Sequence, residues 1–170
     1  MSVSRRAAVS GQRLATDGLF GRVELVGVDL VDSFTPHEPD PPWLQLITAS
    51  LTMWRPQQTF DLITCVHGLH YVGDKLRVLT DALRWLTPDG RFLADLDLES
   101  VRLLDGSPAG RRLRATLRAQ GVAYDARRHR LSCDARRGLR LPLRYLGADD
   151  RAGANYTGQP AVDSYYVWAT

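Results

Sequence analysis

The chain has 170 residues, 44% of them hydrophobic and 24% charged, which is the size and composition of one domain with a core of its own. No apolar run reaches the roughly 18 to 20 residues needed to cross a bilayer, and Met1 to Arg6 leads into no secretory core, so a cytoplasmic protein with no membrane partner is expected. The two cysteines, Cys65 and Cys133, lie far apart and form no CxxC pair, which argues against a disulfide framework or a zinc ribbon, and the net charge of +3 comes almost wholly from arginine, Lys75 being the single lysine.

Residues 5–16 fit a short amphipathic helix stopped by Gly18 and Gly21. Arg22 to Leu30 is rich in β-branched and apolar residues and carries Asp29 at its end, which predicts a buried parallel strand. Pro36, Pro39, Pro41 and Pro42 lack amide donors, so the crossover from Asp32 to Trp43 is expected to be an irregular loop. Leu44 to Thr48 and Phe60 to Val66 read as two further buried strands. Asp74 is placed to cap a helix in which Leu76, Leu79, Leu83 and Leu86 recur at helical spacing, with Val78, Ala82 and Trp85 widening the stripe. Thr87-Pro88-Asp89-Gly90 has the residues of a type I turn and delivers the chain into a strand from Arg91 to Leu96. Beyond residue 99 a helix is expected over Arg111 to Gln120, and strands over Leu139 to Leu146 and Ser164 to Trp168. Alternating strands and helices predict an α/β fold with a parallel twisted sheet flanked by helices, in one domain over 1–170, with ligands at the strand carboxyl ends.

Three pieces stand in a characteristic order: Phe60-Asp61-Leu62-Ile63, then His67-Gly68-Leu69-His70-Tyr71, then Leu86-Thr87-Pro88-Asp89-Gly90 after the helix. With Val26-Gly27-Val28-Asp29-Leu30 upstream, residues 22–98 resemble the class I, Rossmann-like S-adenosylmethionine-dependent methyltransferases. The resemblance implies a mostly parallel sheet with an antiparallel C-terminal edge, supplied by the helix and closing strands of 99–170. It also implies S-adenosylmethionine as cofactor and methyl transfer to an acceptor, small or macromolecular, that the sequence does not identify. In that family a strand and a GxGxG loop precede the acid equivalent to Asp29, whereas Gly11, Gly18 and Gly21 are scattered here. The expectation is therefore a truncated N-terminus or a retired site, with the first strand of the sheet lacking. The gap would be filled by Leu25 to Leu30 pairing directly with Phe60 to Val66, by an N-terminal segment, or by a strand of another molecule completing the sheet in an oligomer.

Carried onto this chain, the resemblance makes Asp29 and Leu30, Ser50 and Leu51, and Cys65 and His67 the cofactor-binding candidates. A carboxylate at a strand end can accept two ribose hydroxyl hydrogens, so Asp29 is either that group or an ordinary loop cap. Ser50 and Leu51 offer one polar and one apolar flank to an adenine, or form a plain turn. His67 and His70 can share a face if their turn is helical, and either could act as a base near neutral pH, although methyl transfer often needs only alignment. No third ligand stands beside the two histidines, so no metal is expected. Asp95 and Asp97 read as solvated, and the aromatics Tyr156, Tyr165, Tyr166 and Trp168 as packing for a closing strand. The arginines between 111 and 144 could bind RNA or DNA phosphates or form a solvated face. Two functions from other classes thus stand beside the enzyme: a non-catalytic methyltransferase-like partner protein and an arginine-rich nucleic-acid-binding domain.

Overall fold

A computed structural model describes residues 22–30, 42–154, 158 and 160–169. The predicted helix over 5–16, most of the proline-rich crossover and Tyr156 lie outside the described residues. The chain divides into two compact units, 1–55 and 56–170.

In the first unit, β1 (Leu25–Asp29) and β2 (Leu44–Thr48) form a parallel pair in register from Leu25 opposite Leu44 to Asp29 opposite Thr48. The ladder continues at both ends: Leu25 N–H donates to Trp43 O at 2.7 Å, and Ala49 N–H donates to Asp29 O at 2.8 Å. Both strands fall where the apolar runs predict them, although neither is fully buried: β1 is half-buried along its length, and β2 exposes Gln45 and Thr48. Within this unit, among the described residues, β1 pairs with β2. A turn follows β2, in which the Met53 and Trp54 amides both donate to Ser50 O, at 2.9 and 2.8 Å.

The second unit holds two sheets. One has the order β3 (Phe60–Cys65), β4 (Leu86–Asp95), β7 (Arg130–Asp134), β6 (Ala123–Asp125), parallel between β3 and β4 and antiparallel beyond. The other has the order β5 (Val101–Leu103), β9 (Asp163–Trp168), β8 (Leu143–Asp149), in which β8 and β9 are antiparallel. The fold is thus α/β, with β1–β2, β3–β4 and β5–β9 parallel and β4–β7, β6–β7 and β8–β9 antiparallel.

Between β3 and β4 lies α1 (Lys75–Arg84), begun by Asp74, whose carboxylate accepts the Arg77 amide at 3.2 Å. Its stripe Leu76, Val78, Leu79, Ala82 and Leu83 is buried, each of the larger side chains contributing about 2 kcal/mol as an upper bound. The expected turn over Thr87 to Gly90 is absorbed into β4 as an irregularity. Phe60 pairs with Leu86 but Leu62 pairs with Arg91, and the slack residues are held where Thr87 Oγ1 donates to Asp61 at 2.9 Å. Gly90 is required there, since a Cβ on it would lie 2.8 Å from Phe60 O.

After β5, α2 (Gly110–Ala119) buries Leu113 and Leu117. The hairpin of β6 and β7 was not visible in the sequence reading; its bend is held by Asp125, whose carboxylate accepts the Arg127 and Arg128 amides at 2.9 and 3.1 Å. β8 begins at Leu143 rather than Leu139. Pro142 has no amide to give a ladder, and the Arg140 backbone is instead bound on both sides by the Gln120 amide, 2.7 Å each way. Tyr166 on β9 is buried to 1% exposure, as the packing reading of the C-terminal aromatics expects.

Candidate functional site

In the 22–55 unit, parallel pairing sets the carboxyl ends of β1 and β2 side by side. Asp29 lies opposite Thr48, next to the turn that begins Ala49-Ser50-Leu51. Leu30 is 67% exposed and Leu51 half-buried, so both an apolar surface and a carboxylate stand at this end of the pair. Ser50 Oγ and Thr52 Oγ1 share a hydrogen bond of 2.8 Å, which leaves the remaining hydroxyl valence for a ligand group.

In the 56–170 unit, β3 ends at Cys65 and the chain turns through a 3-10 helix over Gly68–Tyr71. His67 begins it in the left-handed region, at φ 66° and ψ −16°, a conformation that costs a non-glycine residue about 1 kcal/mol or more. This turn brings His67 and His70 together as the helical reading requires, with ring centroids 5.8 Å apart. His70 is wholly buried, and burial followed by the neighbouring His67 pushes its pKa below the ordinary histidine range, which keeps it neutral at pH 7. Nδ1 of His67 is buried with no hydrogen-bond partner among the described residues. Such an atom is costly unless something else satisfies it.

Burial pushes the Cys65 thiol up to about 11, against the lowering effect of the Leu69 and Gly68 amides, so the sulfur is a neutral thiol and no nucleophile at neutral pH. Gly68 permits its close approach, since a Cβ there would stand 2.8 Å from Cys65 Sγ. Among the described residues no group of three or more His, Cys, Asp or Glu side chains is arranged to hold a metal ion.

Two groups around this turn escaped sequence reasoning. Lys75, entirely buried, donates from Nζ to Val72 O at 2.9 Å, Val162 O at 2.5 Å and Ser164 Oγ at 2.9 Å. Together with the Val162 amide, which donates to His70 O at 2.9 Å, it fastens the histidine turn to the start of β9. The only lysine among so many arginines was the available signal: a compact ammonium with three donors suits three converging oxygens, where a planar guanidinium does not. Asp95 and Asp97 are not solvated as expected. Asp95 is 5% exposed and paired with Arg130 at 2.9 Å, while Asp97 accepts the Glu99 amide at 3.0 Å and stands 3.7 Å from His129. Arg130 and His129 come from β7 and its turn, some 30 residues along the chain, out of reach of a local pattern.

Several arginines of the 111–144 stretch are engaged within the protein. Besides Arg130, Arg128 pairs with Asp125 at 3.6 Å, and Arg112 lies over the Trp168 ring at 3.8 Å. No helix among the described residues is long and apolar enough to cross a membrane.

No curated protein matches the chain. Among solved structures it is similar to the N-methyltransferase NodS of Bradyrhizobium japonicum WM9 in complex with S-adenosyl-L-homocysteine, at 13% identity and TM-score 0.42, covering 67% of this chain and 66% of that one. It is also similar to YcgJ of Bacillus subtilis, at 16% identity and TM-score 0.43 over 84% and 79% of the two chains. A third likeness is to an S-adenosylmethionine-dependent methyltransferase of Mesorhizobium loti, at 18% identity and TM-score 0.41 over 75% and 67%. The chain thus spans just under two thirds of the length of the NodS complex, and likenesses this distant carry no conclusion about activity. The sequence itself is decisive: a family model described as a methyltransferase domain matches residues 14–140, about three quarters of the chain, and the protein therefore belongs to the methyltransferase domain family.

Proposed function

We propose that the chain binds S-adenosylmethionine and serves methyl transfer to an acceptor nucleophile. The observation that carries this reading is the parallel register of β1 and β2, which sets Asp29 beside the turn at 49–51. The residue types there fit an adenosine. A carboxylate accepts both hydrogens of a ribose diol, Leu30 and Leu51 offer apolar surface to a base, and Ser50 offers a hydroxyl to the adenine edge.

In the other unit, the Nδ1 of His67, without a hydrogen-bond partner among the described residues, and the close-packed Cys65 and Gly68 give a tight, polar-tipped turn at a strand carboxyl end, where α/β sheets take their ligands. When bound, the cofactor supplies an electrophilic methyl group on a sulfonium sulfur. The chain's own contribution is binding and orientation, and Cys65, held as a neutral thiol, does not compete for the methyl group.

The test uses S-adenosylhomocysteine and its 2′-deoxy counterpart against the intact chain. The wild-type protein is expected to prefer the complete ribose by about tenfold, the worth of one good charge-assisted hydrogen bond. Asp29→Ala should bind the two compounds alike. A wild-type protein that binds both equally, or a variant that keeps the preference, overturns the assignment.

A further inference from the structure

In the 56–170 unit, the segment after β7 runs back along α1. The Arg137 amide donates to Leu83 O, 3.4 Å away in the last turn of the helix. Eight residues later, a Cβ built on Gly73, just before the helix begins, would stand 3.0 Å from the Tyr145 hydroxyl. Segment and helix are therefore antiparallel, and the trough between them is a groove of about 580 Å³ whose lining runs from Asp74 to Arg84 on one side and from Leu139 to Tyr145 on the other. None of its lining residues belongs to the 65–70 turn.

The lining is graded. Leu141 and Leu143 give it half-exposed apolar surface, Leu76 and Leu139 lie buried beneath, and the rest of the lining is polar. Toward the start of α1, Asp74 is occupied by the Tyr166 hydroxyl at 3.0 Å and the Arg77 amide at 3.2 Å. Midway, Arg77 and Asp81 stand 3.8 Å apart and offset one another. Toward the end of α1, Arg84 and Arg140 line the groove, and among the described residues neither guanidinium has an ion-pair partner. The carboxyl end of the helix dipole, about half a negative charge, is outweighed there by two full positive charges.

We propose that this groove is a second ligand site for an amphiphilic anion: an apolar body lying against Leu141 and Leu143, with a sulfonate-, carboxylate- or phosphate-like group held by Arg84 and Arg140. A volume within the roughly 300 to 1,000 Å³ of small-molecule sites accommodates such a ligand. Two guanidiniums at one end of the trough fix its direction, because an anion placed at the Asp74 end would meet a carboxylate instead.

The probe is 8-anilinonaphthalene-1-sulfonate, with uncharged N-phenyl-1-naphthylamine as the matched control, titrated into the full chain by fluorescence. Amide shifts in a nitrogen-15 spectrum locate the binding. The sulfonate is expected to perturb the amides of 76–84 and 139–145, and Arg84→Gln with Arg140→Gln to weaken it about tenfold while leaving the uncharged probe unchanged. Both arginines are exposed, so the double variant should melt as the wild type does, and each single variant gives an intermediate loss if one of the pair proves necessary for folding. Shifts confined to other regions, equal weakening of the two probes, or full retention of sulfonate binding by the double variant would overturn the proposal.

Discussion

Replacing Lys75 by Met isolates a buried charge whose effect on stability can be worked out in sign and size. Its ammonium is wholly buried among Val72 O, Val162 O and Ser164 Oγ. Burial lowers its pKa from 10.5 to about 8, against the opposing pull of Asp163 and Asp97. The folded-state value thus lies below the unfolded one, so between pH 8 and 10.5 the unfolded chain holds the additional proton and stability rises with pH. Across that whole window the gain is about 3 kcal/mol, and between pH 7.5 and 9 it is about 1 kcal/mol. Cys65 works in the opposite direction: its folded value of about 11 lies above that of an ordinary thiol, so stability falls as pH rises beyond 9. Tyr166, also raised, adds to that fall at higher pH. The difference between wild type and Lys75→Met cancels both.

The variant also leaves three oxygens without their donor, which shifts its stability by a constant amount but gives no slope. Urea unfolding followed by circular dichroism at intervals from pH 7.5 to 9 should show the wild type gaining about 1 kcal/mol on the variant. A difference that stays constant over this range would refute the reasoning.

Three other outcomes follow from the packing. Tyr166→Phe removes a hydroxyl that donates to Asp74 and accepts the Leu76 amide, and should lower stability by about 2 kcal/mol in urea unfolding. Gly68→Ala forces a methyl group against Cys65 Sγ and should cost about 1 to 2 kcal/mol, most of it recovered in a Cys65→Ala background where the obstacle is gone; a double-mutant cycle reads the coupling. With its thiol raised to about 11 from 9.0, Cys65 should be alkylated by iodoacetamide at pH 7.5 about 100-fold more slowly than free cysteine, as followed by peptide mass spectrometry.

What the sequence disclosed was local. The apolar runs located β1, β2, β3 and β9 within a few residues, and Asp74 with its leucine stripe located α1, because strand alternation, helical spacing and a capping carboxylate are all written within a dozen residues. That His67 and His70 share a face was open in the sequence, conditional on a helical turn, and the 3-10 helix over Gly68–Tyr71 supplies that condition. What escaped depends on partners far along the chain. Thr87 to Gly90 carries the residues of a turn, yet pairing of Phe60 with Leu86 draws it into β4. Asp95 on a strand end looks solvated until Arg130 arrives from β7. The alternation of Leu131 and Cys133 inside with Arg130, Ser132 and Asp134 outside was a strand signal, masked by its setting in a run of arginines.

The central claim is that this member of the methyltransferase domain family takes S-adenosylmethionine, with Asp29 holding the ribose. Calorimetric titration of S-adenosylmethionine into the purified 170-residue chain tests it most directly, beside Asp29→Ala. The account predicts saturable binding at one site, weakened about tenfold or more by the substitution while the variant remains folded. A folded wild-type chain that takes up no cofactor, or an Asp29→Ala variant that binds it as tightly as the wild type, would contradict it.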